Sequence, residues 1–159
     1  MGTDRWGGQS FDMLYRDSFA VVVRSVRWIV GDAEVAREIT QDAFVAALVH
    51  WRKVSSYDNP GAWVRRVAIR QAVRAARRAR SMPSLETTGV NPDRDDALDV
   101  RAAVAALPVQ QRAAVVLHYL HDLPVAEVAR ALGCSDSTAK THLFRARKTL
   151  AVRLGEEVD

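Results

Sequence analysis

The chain has 159 residues, 48% of them hydrophobic and 26% charged, and its 23 Lys and Arg against 19 Asp and Glu leave a formal charge of +4. That apolar content excludes a disordered tail, while the length allows one domain or two small ones. A single cysteine, Cys134, excludes a disulfide framework or a multi-thiolate zinc site, and the longest apolar run, residues 43–49, falls far short of the roughly 18–20 residues of a membrane span.

Apolar residues recur at helical spacing throughout and no alternating strand is evident, so the fold expected is all-α. Ser10 can cap a first helix carrying Phe11, Leu14, Phe19, Val22, Val26 and Ile29, with Gly31 available to end it. Asp32 can cap a second helix through about Trp51. Its run 43–49 is apolar all round, which predicts core rather than interface. Residues 53–58 read as a short loop. Asn59-Pro60 then starts a third long helix, with Asn as cap and Pro in the first turn.

Residues 60–80 carry an uneven charge. Seven arginines fall between positions 65 and 80, and residues 61–85 hold no acid. At 100° per residue Val64, Ala68, Ala72, Ala75 and Ala79 share one face, while Arg66, Arg70, Arg74, Arg77 and Arg80 share an arc opposite. Val73 intrudes on that arc and Trp63 stands at its edge. Residues 81–96 contain Met82-Pro83, Gly89 and Asn91-Pro92 without periodicity, and read as a flexible linker. Its neighbourhood, 86–99, holds Glu86, Asp93, Asp95, Asp96 and Asp99 against one arginine.

Four more helices are expected, over 97–106, 109–121, 125–132 and 136–154. Residues 125–150 follow the grammar of a helix-turn-helix. Ala129 is small where helices cross, Gly133 suits a left-handed helix end, and Ser135 can cap the next helix. Ala139, Leu143, Ala146 and Leu150 form a seam. Ser137, Lys140, Thr141, Phe144, Arg145 and Lys148 then project outward, a mixture suited to guanine, phosphate and thymine methyl contacts in a major groove. A plain helical hairpin is the competing reading. Residues 137–154 are also acid-free, so two basic patches flank an acidic connector. That pattern fits two polyanion-binding modules on a tether, unless each patch is only a solvated helix face.

The order of these motifs resembles bacterial sigma factors of the extracytoplasmic-function (group IV) type. The resemblance is carried by residues 32–51 (DAEVAREITQDAFVAALVHW), 59–78 (NPGAWVRRVAIRQAVRAARR) and 107–150 (LPVQQRAAVVLHYLHDLPVAEVARALGCSDSTAKTHLFRARKTL). It implies a promoter-specificity subunit of RNA polymerase built as a region 2 domain (residues 10–80), a flexible acidic linker (81–96) and a region 4 domain (97–155). The first domain would bind core polymerase and the −10 element, and the second the −35 element.

By motif position, Gln41 and Asp42 would meet the clamp of the largest core subunit. The 53–58 loop resembles one that captures a flipped base, with Tyr57 and Trp63 as nearby aromatics. Trp63 serves equally well as a core residue. Arg66, Arg70, Arg74 and Arg77 would hold phosphates around the opened strands. Many family members have Arg-Asn where Ile69-Arg70 stand and an acid at Arg74, so −10 recognition is expected to differ here. Pro124 stands where the family often has a Ser or Thr cap. The linker would thread a basic RNA exit channel, its carboxylates standing in for RNA. Implied partners are core polymerase, promoter DNA and an anti-sigma factor, in the cytoplasm and away from membranes.

No phosphate-cradling glycine loop or serine elbow is present, and His118, His121 and Cys134 make a poor zinc pattern. No catalytic residue, metal or cofactor is therefore expected, and the chain is not read as an enzyme. An operator-binding regulator would need only the C-terminal module, and a nucleic-acid enzyme would need acids on the arginine helix. Residues 1–80 favour the sigma reading over both.

Overall fold

The computed structural model describes residues 10–81 and 96–155. By its contacts the chain divides into two compact units, Met1–Ala72 and Val73–Asp159. All regular structure among the described residues is helical.

In the first unit, α1 (Phe11–Val30) starts at Ser10, whose hydroxyl accepts from the Met13 amide at 3.2 Å, and ends at Gly31 with φ 81°. α2 (Ala33–Val49) follows at once, two of its free first-turn amides satisfied by Asp32, which accepts from Glu34 and Val35 at 2.8 and 3.0 Å. The two helices pack along Leu14, Val22, Val26 and Ile29 on one side and Ala36, Ile39, Ala43, Phe44 and Ala47 on the other, all buried. Phe44 anchors an aromatic cluster, with Phe11, Tyr15 and Phe19 at ring separations of 6.3, 5.1 and 5.7 Å. Two buried hydroxyls cost little, because Ser25 and Thr40 donate to the Val21 and Ala36 carbonyls one turn back.

Two sequence expectations change here. α2 stops at Val49 rather than running to Trp51, and a four-residue α3 (Trp51–Val54) restarts after His50. The break turns Trp51 edge-on to Phe11 at 5.6 Å, a contact that draws the indole into the cluster. Nor is the apolar run 43–49 core all round. Ala43, Phe44 and Ala47 are buried, but Val45, Leu48 and Val49 are 58%, 55% and 71% exposed. A two-helix contact covers only one side of α2, so an apolar composition around its full circumference leaves the other side bare.

α4 (Pro60–Ser81) begins as the sequence indicates, with Asn59 accepting from the Ala62 amide at 3.0 Å. Gly61 lies against α1, where an added Cβ would meet Leu14 at 3.5 Å and Ser18 at 3.8 Å. The buried side of α4 carries Val64, Ala68, Ile69, Ala72, Val73 and Ala76. It is thus rotated from the small-residue stripe read in the sequence: Ala75 is half-buried and Ala79 exposed. The larger apolar residues Ile69 and Val73, once placed inside, set the orientation of the helix because they remove more apolar surface from water. Of the linker read at 81–96, residues 82–95 lie outside the described residues, including Glu86, Asp93 and Asp95.

The division falls within α4, and the second unit contains its end from Val73 together with α5 (Asp96–Ala105), α6 (Val109–Val115), α7 (Val125–Leu132) and α8 (Asp136–Arg153). Arg112 is buried and donates through Nη2 to the carbonyls of Ala105 at 3.0 Å and Leu107 at 2.9 Å, capping the end of α5 with a cation. The helix expected over 109–121 is α-helical only to Val115 and continues as one π-helical turn, Val116–Leu120. A His118 Nδ1–H donates to the Leu123 carbonyl at 2.8 Å, and Leu123 N–H to the Leu117 carbonyl at 3.3 Å, so the two bonds span Asp122.

Candidate nucleic-acid interface

The helix-turn-helix is formed by α7 and α8. Val125 opens α7 behind Pro124, whose ring presets the entry and which supplies no side-chain cap. Gly133 ends it at φ 71°, and the Cys134 amide reaches back to the Ala129 carbonyl at 3.0 Å, a closure that needs the left-handed residue. Ser135 then accepts from the Thr138 amide at 3.1 Å to start α8. Ala139, Leu143 and Ala146 are buried against α6 and α7, while Leu150 at the far end of the seam is half-buried.

The opposite side of α8 carries every residue singled out from the sequence. Ser137, Lys140, Thr141, Phe144, Arg145 and Lys148 are all exposed, Phe144 at 60%. The Lys148 ammonium sits 5.6 Å from the Phe144 ring centroid, and the Thr141 hydroxyl donates to the Ser137 carbonyl at 3.0 Å. That back-bond restricts the Thr141 side chain at χ1. His142 lies half-buried beside this face, and burial, with the Arg145 charge second, lowers its pKa from 6.5. Cys134 is half-buried in the turn, and burial followed by the Asp136 carboxylate raises its thiol pKa, which keeps the sulfur protonated and unreactive.

Along α4, Arg70, Arg74 and Arg77 are exposed, whereas Arg66 is half-buried with its Nε lacking an acceptor among the described residues. Trp63 is half-buried and lies on the same side of the helix, seven to fourteen residues before the exposed arginines. Ile69 is fully buried and belongs to the core, so position 69 presents nothing to DNA. Tyr57 is 39% exposed at the end of a tight connection, in which Ser56 donates to the Lys53 carbonyl at 2.6 Å and the Tyr57 amide to Val54 at 3.1 Å. The expected loop is thus short, since Lys53 and Val54 belong to α3. On α2, Gln41 and Asp42 are exposed, next to the bare Val45, Leu48 and Val49.

Sequence reasoning missed Tyr119 and Arg147. The Arg147 Nε–H donates to the Tyr119 hydroxyl at 2.6 Å across 28 residues, joining the π turn to α8. Both side chains are exposed. Nothing in helical periodicity announces a π turn, and without it Tyr119 has no reason to meet α8.

Among the described residues no group of His, Cys, Asp and Glu is arranged to hold a metal ion, and no helix is long and apolar enough to cross a membrane. Residues 14–82 match the family Sigma-70 region 2, and residues 97–150 match Sigma-70, region 4. The ECF RNA polymerase sigma factor SigM of Mycobacterium tuberculosis (strain ATCC 25618 / H37Rv) is 32% identical over 155 residues, covering 92% of this chain and 78% of that protein. SigL of the same strain, also an ECF RNA polymerase sigma factor, is 28% identical over 155 residues, covering 90% and 88%. Among solved structures, the sigma factor RpoE of Bartonella quintana, in complex with the anti-sigma factor NepR, shares the fold with a TM-score of 0.70 at 20% identity, over 93% of this chain and 98% of that one. Two matched regions in the expected order, and a relative alike over almost the whole length, place the chain plainly: it belongs to the ECF RNA polymerase sigma factors of the sigma-70 family.

Proposed function

We propose that the exposed side of α8 reads the −35 element, that the arginine side of α4 holds the −10 region, and that the outer side of α2 docks on core polymerase. The chain is an alternative sigma factor acting in promoter-specific transcription initiation. The finer assignment of residues is ours. The observation that carries it is the array on α8, where six exposed polar, cationic and aromatic side chains share one side of a capped helix in a helix-turn-helix. A helix of that composition fits a major groove, with Lys140 in its N-terminal half and Arg145 at its middle facing base edges and Lys148 facing phosphate.

Opening a duplex without ATP requires capture of unpaired bases, and stacking contributes roughly 1–3 kcal/mol per base. Tyr57 and Trp63 supply aromatic surface for this, and Arg70, Arg74 and Arg77 supply phosphate contacts. Arg66, half-buried, is better suited to hold the helix than to reach DNA. On α2, Gln41 and Asp42 provide polar contacts to the clamp, and Val45, Leu48 and Val49 provide apolar area beside them. The protein acts without catalytic residues or cofactor of its own, in the cytoplasm where polymerase resides. An anti-sigma factor is a further partner, of the kind that RpoE carries in its complex with NepR.

The test is initiation by reconstituted holoenzyme on a library of −35 sequences. Lys140→Ala and Arg145→Ala are expected to change base preference, each discriminating contact contributing about 1–3 kcal/mol. Lys148→Ala is expected to weaken binding on all sequences alike and to lower the salt slope by about 1. Equal loss on every sequence from all three substitutions would remove the base-reading role of α8.

A further inference from the structure

Tyr119 and Arg147 sit outside the set of residues that face the groove, yet their geometry is not that of a stabilising pair. Tyr119 is 52% exposed and Arg147 is exposed as well, so a hydrogen bond between them competes with water and adds little to folding. The bond nevertheless orients both groups. The Nε–H of Arg147 donates to the phenol oxygen at 2.6 Å, with its guanidinium carbon 5.8 Å from the ring centroid. The His118 ring meets the Tyr119 ring edge-on at 4.8 Å, and His118 is itself tied to the Leu123 carbonyl. The phenol is thus held between two elements while remaining open to solvent.

The bond consumes one Arg147 donor and one lone pair of the tyrosine oxygen. The phenolic O–H and the two terminal nitrogens of the guanidinium stay available, and among the described residues no acceptor or carboxylate engages them. What is left is a cluster of donors with one positive charge, Arg147 itself lying in the acid-free stretch 137–154. An oxyanion with several acceptor atoms matches it, and a planar guanidinium beside a hydroxyl suits phosphate oxygens. Position supports the same ligand. At 100° per residue Arg147 stands about 20° around α8 from Lys140, at the border of the groove-facing side. The phosphate strands run along both borders of a helix lying in a major groove.

We propose that Tyr119 and Arg147 form a clamp for a DNA backbone phosphate flanking the −35 element, set in place by the π-helical turn. The pair positions the recognition helix and carries no base information. The proposal rests on the reading of α8 as the −35 reader, and the experiment separates the two.

Holoenzyme assembled from the full chain and core polymerase is titrated with promoter duplex at several KCl concentrations, for a set of −35 sequences. Arg147→Gln is expected to lower affinity about fivefold at 0.15 M salt on every sequence and to reduce the salt slope by about 0.9, the signature of one lost phosphate contact. Arg147→Lys keeps the charge and is expected to keep the slope while losing part of the affinity. Tyr119→Phe is expected to lower affinity twofold to fivefold with the slope retained, and to have a smaller effect when Arg147 is already Gln.

A merely structural pair would lower the melting temperature and leave the slope of Arg147→Gln at the parent value; that result would overturn the clamp. Arg145→Ala serves as the control on the underlying reading. If it shifts −35 preference while Arg147→Gln leaves the slope alone, only the clamp fails. If Arg145→Ala leaves preference untouched, the −35 assignment of α8 itself fails.

Discussion

Asp122 is the one non-glycine residue among those described with a positive φ, 55°, and it links the π turn to α7. A short polar side chain tolerates this left-handed conformation better than a branched one. Asp122→Gly is therefore expected to change stability by less than about 0.5 kcal/mol, because relief of strain offsets added freedom in the unfolded chain, whereas Asp122→Val should cost about 1–2 kcal/mol. Urea unfolding measures both. His142 gives a second test at this scale. Its pKa is lowered from 6.5 by burial and then by Arg145, so below that value the unfolded chain binds more protons than the folded one. Stability contributed by the neutral imidazole is complete above 6.5 and is lost as the pH falls through and below it. His142→Gln should flatten the fall in melting temperature on acidification from about pH 7 to 5. The caps belong to the part of the fold legible in advance. Ser10, Asp32, Asn59 and Ser135 all accept the amides expected of them, since an oxygen-bearing residue before an amphipathic run has few other uses. Replacing Ser135 with Ala should cost about 1 kcal/mol, measured by thermal unfolding.

At the scale of elements, what was hidden in the sequence is what depends on neighbours. Periodicity located α1, α2, α4, α7 and α8, but which side of α4 is buried followed the bulky Ile69 and Val73 instead of the alanine stripe. The apolar run on α2 could not by composition reveal that only one helix face finds a partner. Val45, Leu48 and Val49 consequently form a bare apolar edge beside Gln41 and Asp42. Leu48→Glu replaces an exposed side chain, so the melting temperature should stay within a few degrees of the parent. Association with core polymerase should fall at least tenfold by co-elution or fluorescence titration, because burial of a leucine contributes about 1.5–3 kcal/mol and a desolvated carboxylate opposes docking. Unchanged association would remove this side of α2 from the interface. The candidate site was legible to a comparable degree. All six residues named on α8 emerge exposed, because a heptad-like seam of Ala139, Leu143 and Ala146 leaves no other direction for them. The Tyr119–Arg147 pair was not legible, because a π turn is an irregularity in hydrogen bonding that side-chain pattern does not encode.

At the scale of the whole molecule, the proposed function gives two cationic helices to different DNA elements. Under that proposal neither helix alone chooses a promoter, since α4 is to hold opened strands and α8 to read a duplex. Simultaneous engagement raises effective concentration only when a scaffold fixes their separation. Isolated protein should accordingly bind promoter duplex weakly and with steep salt dependence, while the assembled holoenzyme binds the same DNA tightly. The most direct measurement is in vitro transcription from a promoter library with core polymerase, with and without this chain. Added chain should move initiation to a defined subset of promoters sharing one −35 and one −10 sequence at fixed spacing, and changes in either element should abolish it. An unaltered distribution of start sites on adding the chain would contradict the account.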